Sequence, residues 1–382
     1  MADINYIQTQ ENLKLLCDAI HSLGKDEFMS LDTEFTRTKT YYPELDLIQI
    51  CIKNETYLID PLSDIFLTDF VNAINSTNAN ILLFSCREDL EVLSNLSFSL
   101  LNKRQLPKRI IDIQLLLSFA NRSYSQGLQS ALLEYLNIEI KKEHTTSDWQ
   151  IRPLIEAQLV YAKEDVIYLE RLYKAVISLF SDGDRRLCFF YKEMEEYKNR
   201  ALLETKAEDC YLSVSGAGAL NKKQLYILSY LCQRRMLLAI ENNEALNRVI
   251  TTKALCNICR CRSHNFSSLD KCGMKYGAIK AYGKIVIEWF NQAVSQMKKN
   301  SSLVDSIALA YDYFANDREY SSKIKTLKQF LSKKSQELNI CKELLVNKQL
   351  VNDFFYKKHY KQIPVLQSSW YKDALGEITD FQ

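Results

Sequence analysis

Leu31-Asp32-Thr33-Glu34-Phe35 ends an apolar run that begins at Phe28, and it places two carboxylates two residues apart. Side chains alternate faces along a strand, so Asp32 and Glu34 share one face, about 7 Å apart along the backbone. Left bare at about 4 Å, two such charges repel by roughly 4 kcal/mol at an effective dielectric near 20, and a divalent cation relieves that repulsion. The alternative is a strand that emerges into solvent at Thr33 with both acids hydrated. The pair alone does not choose between them.

Outward from this stretch, apolar patterning predicts strands over residues 28–35, 45–52, 57–59 and 80–84, with helical text at 10–23. After the strand at 80–84, Ser85 and Glu88 have the spacing of a capping box. That places Asp89 in the first or second turn of a helix, where the helix dipole also favours a carboxylate. A longer helix is predicted to start at Pro153, with Leu154, Ala157, Tyr161, Asp165, Tyr168, Leu169 and Leu172 forming one stripe. A carboxylate on a core-facing stripe calls for a cation, because an isolated buried charge is costly. Tyr161 lies one turn before Asp165 on the same face.

The 382 residues, 47% hydrophobic and 25% charged, suit two or three domains, and no apolar run approaches the length of a membrane span. The first fourteen residues lack the apolar core of a signal peptide, so the expected location is cytoplasmic. Net charge is +2 but uneven: residues 1–200 carry 22 basic against 30 acidic side chains, and residues 201–382 carry 27 against 17. An acidic, cation-binding half joined to a basic half that tracks a polyanion is one reading, and two unrelated domain compositions is the other. Beyond about residue 181 strand patterns vanish. Helices are predicted at 184–205, 222–243, 251–261, 276–297, 303–315, 321–331, 337–346 and 348–357. They make two compact helical units, 220–295 and 303–375.

The eleven cysteines are an odd number and scattered, as free thiols in a reducing compartment would be. Cys256, Cys259, Cys261, His264 and Cys272 lie close enough to suggest zinc, but a second C-x-x-C is missing. Residues 255–259 also continue a helical apolar pattern, in which cysteine acts as a small hydrophobe. The core reading is favoured.

Asp32-x-Glu34 on a strand, Asp89 at a helix start and Tyr161-x-x-x-Asp165 on a helix, in that order, resemble the three motifs of the DEDD exonucleases, Tyr-containing subclass. The run LDTEFTRTKTYYPELDLIQI (31–50), Leu58-Ile59-Asp60-Pro61-Leu62, Glu88-Asp89-Leu90-Glu91-Val92 and Ser147-Asp148-Trp149-x-x-Arg152-Pro153-Leu154 are similar to the ribonuclease D family within that group. The helical remainder resembles its two helicase-and-RNase-D C-terminal (HRDC) domains. The resemblance implies an α/β, RNase H-like exonuclease domain over 1–178, its mixed sheet flanked by helices. A helical linker over 179–217 and two all-α HRDC-type domains over 218–297 and 303–376 follow. Asp32, Glu34, Asp89 and Asp165 would hold two divalent metals, Mg2+ or Mn2+. Tyr161 would hydrogen-bond the attacking water, and Glu34 would also approach the terminal 3′ hydroxyl.

The implied reaction is 3′→5′ hydrolysis of RNA to nucleoside 5′-monophosphates. Its substrate would be RNA with a single-stranded 3′ end, transfer RNA precursors foremost, and no obligate protein partner is evident. The alternatives are a DNA exonuclease of the same mechanism and a catalytically silent RNA-binding protein. Phe35, Tyr41 and Tyr42 are candidates for stacking on bases, or for packing; Arg37, Lys39 and Arg152 for phosphates, or for plain solvation. Asp112 and Asp148 read as structural, as caps or as pairing partners, and His144 stands outside the three motifs. Before Asp89 the family commonly has His-Ala-Gly, where this chain has Phe84-Ser85-Cys86-Arg87, and Arg87 is the candidate replacement for that histidine. Arg234-Arg235 likewise stands where a Trp-Arg pair is common.

Overall fold

The computed structural model describes residues 4–140, 147–204, 206–316, 320–359 and 370–376; His144 lies outside them. Among these residues, β1 (Ile4–Ile7), β2 (Phe28–Thr36), β3 (Glu44–Ile52), β4 (Glu55–Ile59), β5 (Asn80–Leu83) and β6 (Ile110–Asp112) form one sheet, ordered β1-β4-β3-β2-β5-β6. β3 runs antiparallel to β2 and β4, whereas β1 is parallel to β4, and β5 to β2 and β6. The sheet is therefore mixed, as expected. The outer strands β1 and β6, four and three residues long, were not legible as strands.

Asp32 pairs with Gln49 and Glu34 with Leu47, so both acids share the face of β3 that carries Leu47. The opposite face, with Leu31, Ile48 and Ile50, is buried in the main core. β5 pairs only with Phe28–Ser30 of β2, which leaves that edge of β2 open from Asp32 onward. The helix that follows β5 packs there.

The helices of this half are α1 (Gln10–His21), α2 (Thr68–Ser76), α3 (Arg87–Leu101), α4 (Ile113–Phe119), α5 (Leu128–Leu136), α6 (Glu156–Ile167), α7 (Leu169–Ile177) and α8 (Arg185–Leu202). Two expected starts are corrected. Ser85 has φ +65° and does not cap α3; Asp112 accepts the Ser85 and Cys86 amides, at 3.0 Å each, and also caps α4 through the Gln114 and Leu115 amides. Pro153 lies ahead of α6, which begins at Glu156, with the Ile155 amide donating to Gln158 Oε1. The buried face of α6 is Gln158, Ala162 and Val166, so Tyr161 and Asp165 lie on its half-buried flank and Ala157 is exposed.

The chain then builds a second core from α9 (Lys222–Glu241), α10 (Leu246–Val249), α11 (Thr252–Arg260), α12 (Phe266–Lys271), α13 (Tyr276–Lys299) and α14 (Ser302–Asp305). The remaining helices are α15 (Tyr313–Asn316), α16 (Ser321–Glu337), α17 (Lys342–Leu345), α18 (Lys348–His359) and α19 (Tyr371–Leu375). The helix expected over 303–315 is broken, because Asp312 folds back to accept the Gly216 and Gly218 amides at 2.8 and 2.7 Å. Residues 303–375, expected as a compact helical unit, share their buried side chains with both earlier parts of the chain. Phe314, Leu327, Leu331, Leu345, Phe355 and Trp370 belong to the same buried cluster as the sheet, whereas Val304 and Ala310 belong to the preceding helical core. Trp370 is fully buried between Phe119 and Phe189, with ring centroids at 5.2 and 5.3 Å, and its Nε1 donates to Glu193 at 2.9 Å.

Candidate active site

Three elements converge where the edge of β2 is left open. Carboxylate oxygens of Asp32 and Glu34 on β2 and of Asp165 on α6 lie within 4.8 Å of one another. At that 4.8 Å spacing each ionised pair repels by about 3.5 kcal/mol at an effective dielectric near 20. Asp89, in the first turn of α3, lies outside this tight trio but within reach of its charge. It accepts the Thr33 hydroxyl at 2.5 Å, and its charge raises the pKa of both Asp32 and Glu34.

Burial and crowding set the protonation of these acids. Asp32 is held well above the carboxylate range, first by burial and then by Asp89, Asp165 and Glu34. Glu34 is pushed up to about 8 by burial, Asp165 and Asp89. Asp165 rises to about 7 through burial, although the Tyr161 hydroxyl bonded to it favours the charged form. Asp89 rises to about 6, burial again outweighing the Thr33 hydrogen bond. Four acids that resist losing their protons are what hard divalent cations, which prefer carboxylate oxygens, would compensate. The donor set fits such ions.

This fixes a sign. A carboxyl whose folded pKa is raised binds protons more tightly in the folded than in the unfolded chain, so its stabilisation is present below about pH 4 and is lost as pH climbs through the folded values. For Asp89, Asp165 and Glu34 that window runs up to about 8. The metal-free melting temperature is expected to fall between pH 5.5 and 8.5, and added Mg2+ to raise it more at the upper end. Thermal melts with and without chelator check this; a Mg2+ increment that shrinks with rising pH would contradict it.

The Tyr161 ring packs on Trp149 with centroids 5.9 Å apart, holding its hydroxyl on the Asp165 side of α6. Arg152 is a correction. Its guanidinium donates to both Asp60 oxygens at 2.8 and 2.9 Å and to the carbonyls of Trp149, Ile151 and Asp46 at 2.6, 3.0 and 2.6 Å. All its donors are used inside the protein, so it braces the segment ahead of α6 and does not reach a phosphate. Asp60 is almost fully buried; burial raises its pKa, but Arg152 and the Tyr6 hydroxyl overcome this and hold it below the usual range.

Arg37, Tyr41, Tyr42 and Arg87 line one cleft of about 850 Å3 between this half and the α9–α13 unit; Phe35 and Arg152 are not part of that lining. Arg37 pairs with Glu91, and Arg87 bonds the Tyr124 and Tyr197 hydroxyls while its guanidinium covers the Tyr197 ring at 4.4 Å. Arg87 therefore faces the cleft and not the acid cluster. Arg104, Arg200, Arg248 and Lys275 complete the basic lining, against Glu91 and Glu204. No local motif singles out these four; the charge excess of residues 201–382 hinted at Arg248 and Lys275, and nothing in the sequence hinted at Arg104 and Arg200. The cleft borders the acids, since Arg37 follows Glu34 by three residues and Glu91 follows Asp89 by two. Tyr41 also packs against the α9–α13 core, and the Ala245 amide donates to Lys39 O at 2.9 Å.

Comparison with known proteins places these residues in a family context. The sequence pattern of the 3′–5′ exonuclease family matches residues 4–178. Ribonuclease D of Serratia proteamaculans is 29% identical over 381 residues, covering 98% of this chain and 97% of that one. Ribonuclease D of Escherichia coli is 29% identical over 380 residues, with 98% and 97% covered. The crystal structure of Escherichia coli RNase D, described as an exoribonuclease involved in structured RNA processing, superposes with a TM-score of 0.83 at 27% identity, covering 98% of this chain and 97% of that one.

Proposed function

From the match of residues 4–178 to the 3′–5′ exonuclease family and the near full-length homology to ribonuclease D, we propose that this 3′→5′ exoribonuclease trims structured RNAs, transfer RNA precursors among them, at a single-stranded 3′ end. The convergence of Asp32, Glu34 and Asp165 within 4.8 Å, with Asp89 beside them, carries the reading. Family membership implies divalent metal ions; two, Mg2+ or Mn2+, held by these four acids, are proposed. Bound there, they would supply an activated water and neutralise charge on the phosphoryl oxygens. The residues do the rest. Asp32 and Glu34 hold their positions on a strand whose other face is core, Asp165 and Asp89 close the site from two helices, and the Tyr161 hydroxyl orients the nucleophilic water. Glu34 also meets the terminal 3′ hydroxyl.

The basic cleft supports the substrate assignment. Six cationic side chains against two glutamates suit a phosphate backbone, and Tyr41 and Tyr42 offer ring faces to unstacked bases. The unit over 218–297 is proposed as an HRDC-type domain holding the RNA body. Residues 1–178 are proposed as the catalytic domain, and a reducing cytoplasm as its location.

The test follows 3′-labelled and 5′-labelled oligonucleotides, RNA and DNA of matched sequence, with an unpaired 3′ tail. Nucleoside 5′-monophosphates are expected from the RNA 3′ end first, and equal turnover of DNA would overturn the RNA assignment. In the same assay Tyr161→Phe is expected to slow hydrolysis about tenfold to a hundredfold, within the span of a positioned proton-handling group. Metal affinity, read by calorimetry on the RNA-free protein, stays nearly unchanged. A large loss of metal binding in that variant would contradict the role given to the hydroxyl.

A further inference from the structure

The thiols of Cys261 and Cys272 and one ring nitrogen of His264 lie within 4.8 Å of one another in the α9–α13 unit, remote in sequence from the four acids. Sequence patterning favoured a core role for this cysteine group, and for Cys256, Cys259 and Cys272 that role holds, since all three are buried in the same cluster as Leu255 and Ile258. Cys261 departs from the pattern because α11 ends at Arg260, which leaves it exposed on the cap. Cys272 takes the equivalent place after α12, its amide bonded to Ser268 O. Gly273, at φ +90°, turns the chain away. The Asn257 side chain donates to Cys272 O at 3.1 Å and joins the two helix ends.

The two sulfurs are 3.8 Å apart. Two zinc–sulfur bonds of about 2.3 Å at the tetrahedral angle require a separation of about 3.8 Å, whereas a disulfide requires about 2.0 Å. His264 is prepared as a ligand in the way metal-bound histidines are. Its Nε2 lies 2.9 Å from Ile258 O, a carbonyl that can only accept, so Nε2 carries the proton and Nδ1 keeps a lone pair. Ser268 Oγ lies 3.2 Å from Nδ1 and 2.8 Å from Asn265 O, so its hydroxyl has a second acceptor to turn to when a metal takes the Nδ1 lone pair. The Phe290 ring, edge-on at 4.5 Å, fixes the imidazole plane.

We propose that Cys261, His264 and Cys272 form a second metal site, selective for zinc or a similarly soft divalent ion, with solvent in the fourth position. Two thiolates and an imidazole are soft and borderline donors, the opposite of the all-oxygen acid cluster, so the two sites sort ions by chemistry. Metal entry would displace the thiol protons. Bound metal would clip the end of α11 to the end of α12 and stiffen the unit that lines the basic cleft from the far side. The proposal stands independently of the nuclease reading.

Full-length protein, stripped with chelator and kept reduced with a phosphine, is loaded with Zn2+ or Co2+ and dialysed. One zinc per chain is expected by elemental analysis, and Co2+ is expected to give a thiolate-to-metal charge-transfer band that oxygen ligands cannot produce. Cys261→Ser and, separately, His264→Gln, whose amide can still donate to Ile258 O, are expected to lower retained zinc at least tenfold. Asp32→Asn is expected to leave the band intact. Absence of the band from wild type, or its persistence at full intensity in Cys261→Ser, would overturn the proposal. Recovery of a Cys261–Cys272 disulfide in place of metal from protein loaded under these reducing conditions would do the same.

Discussion

Asp32→Asn is expected to cut RNA hydrolysis by at least about a thousandfold, some 4 kcal/mol of transition-state stabilisation. Asp32 sits closest to the electrostatic centre of the site, for its pKa is raised by each of the other three acids. The amide keeps the shape but removes the charge that would balance a cation. The same change relieves repulsion from Asp89, Asp165 and Glu34, so the metal-free variant should melt at a higher temperature than wild type. Single-turnover cleavage of 3′-labelled RNA and melts in chelator read the two effects on one sample. Activity within tenfold of wild type would remove Asp32 from the metal ligands.

Arg152→Ala is expected to destabilise the exonuclease half by about 3 kcal/mol, the scale for removing one partner of a buried ion pair. Asp60 has only 2% of its side chain exposed, and after the substitution its charge keeps only the Tyr6 hydroxyl, the Gln8 amide and the Leu62 amide. The carbonyls of Trp149 and Asp46 lose their donor as well. Denaturant unfolding followed by tryptophan fluorescence reads the loss. If Arg152 instead gripped a phosphate, stability would hold and only KM for RNA would rise. That outcome would return it to the substrate contacts.

The four acids were picked out by the resemblance to a known family, and local periodicity supplied only which of them share a face. A two-residue strand repeat puts Asp32 and Glu34 together, and a four-residue helix repeat puts Tyr161 beside Asp165. What escaped was decided by partners far along the chain. The role of Arg152 depends on Asp60, 92 residues away, and nothing near Arg152 announces it. Ser85 has the spacing of a cap, yet Asp112 caps the strand-to-helix turn from another strand and leaves Ser85 in a left-handed conformation. The stripe on α6 was read one position off, which made Asp165 a core residue when it lies on the flank that opens to the site. Arg104, Arg200, Arg248 and Lys275 come together only through the meeting of α3, α8 and the α9–α13 unit.

The seat of Trp370 limits how such an enzyme can be shortened. Its indole lies against Phe119 and Phe189, under the catalytic half, and Cys341 donates its amide to Ser118 O at 2.8 Å nearby. The stretches around Cys341 and Trp370 thus return to where the front half was built and seal it, like the last stave of a cask. A truncation at residue 300, which on paper spares every acid, would strip a row of aromatic rings of their cover and yield an insoluble product, not a smaller nuclease.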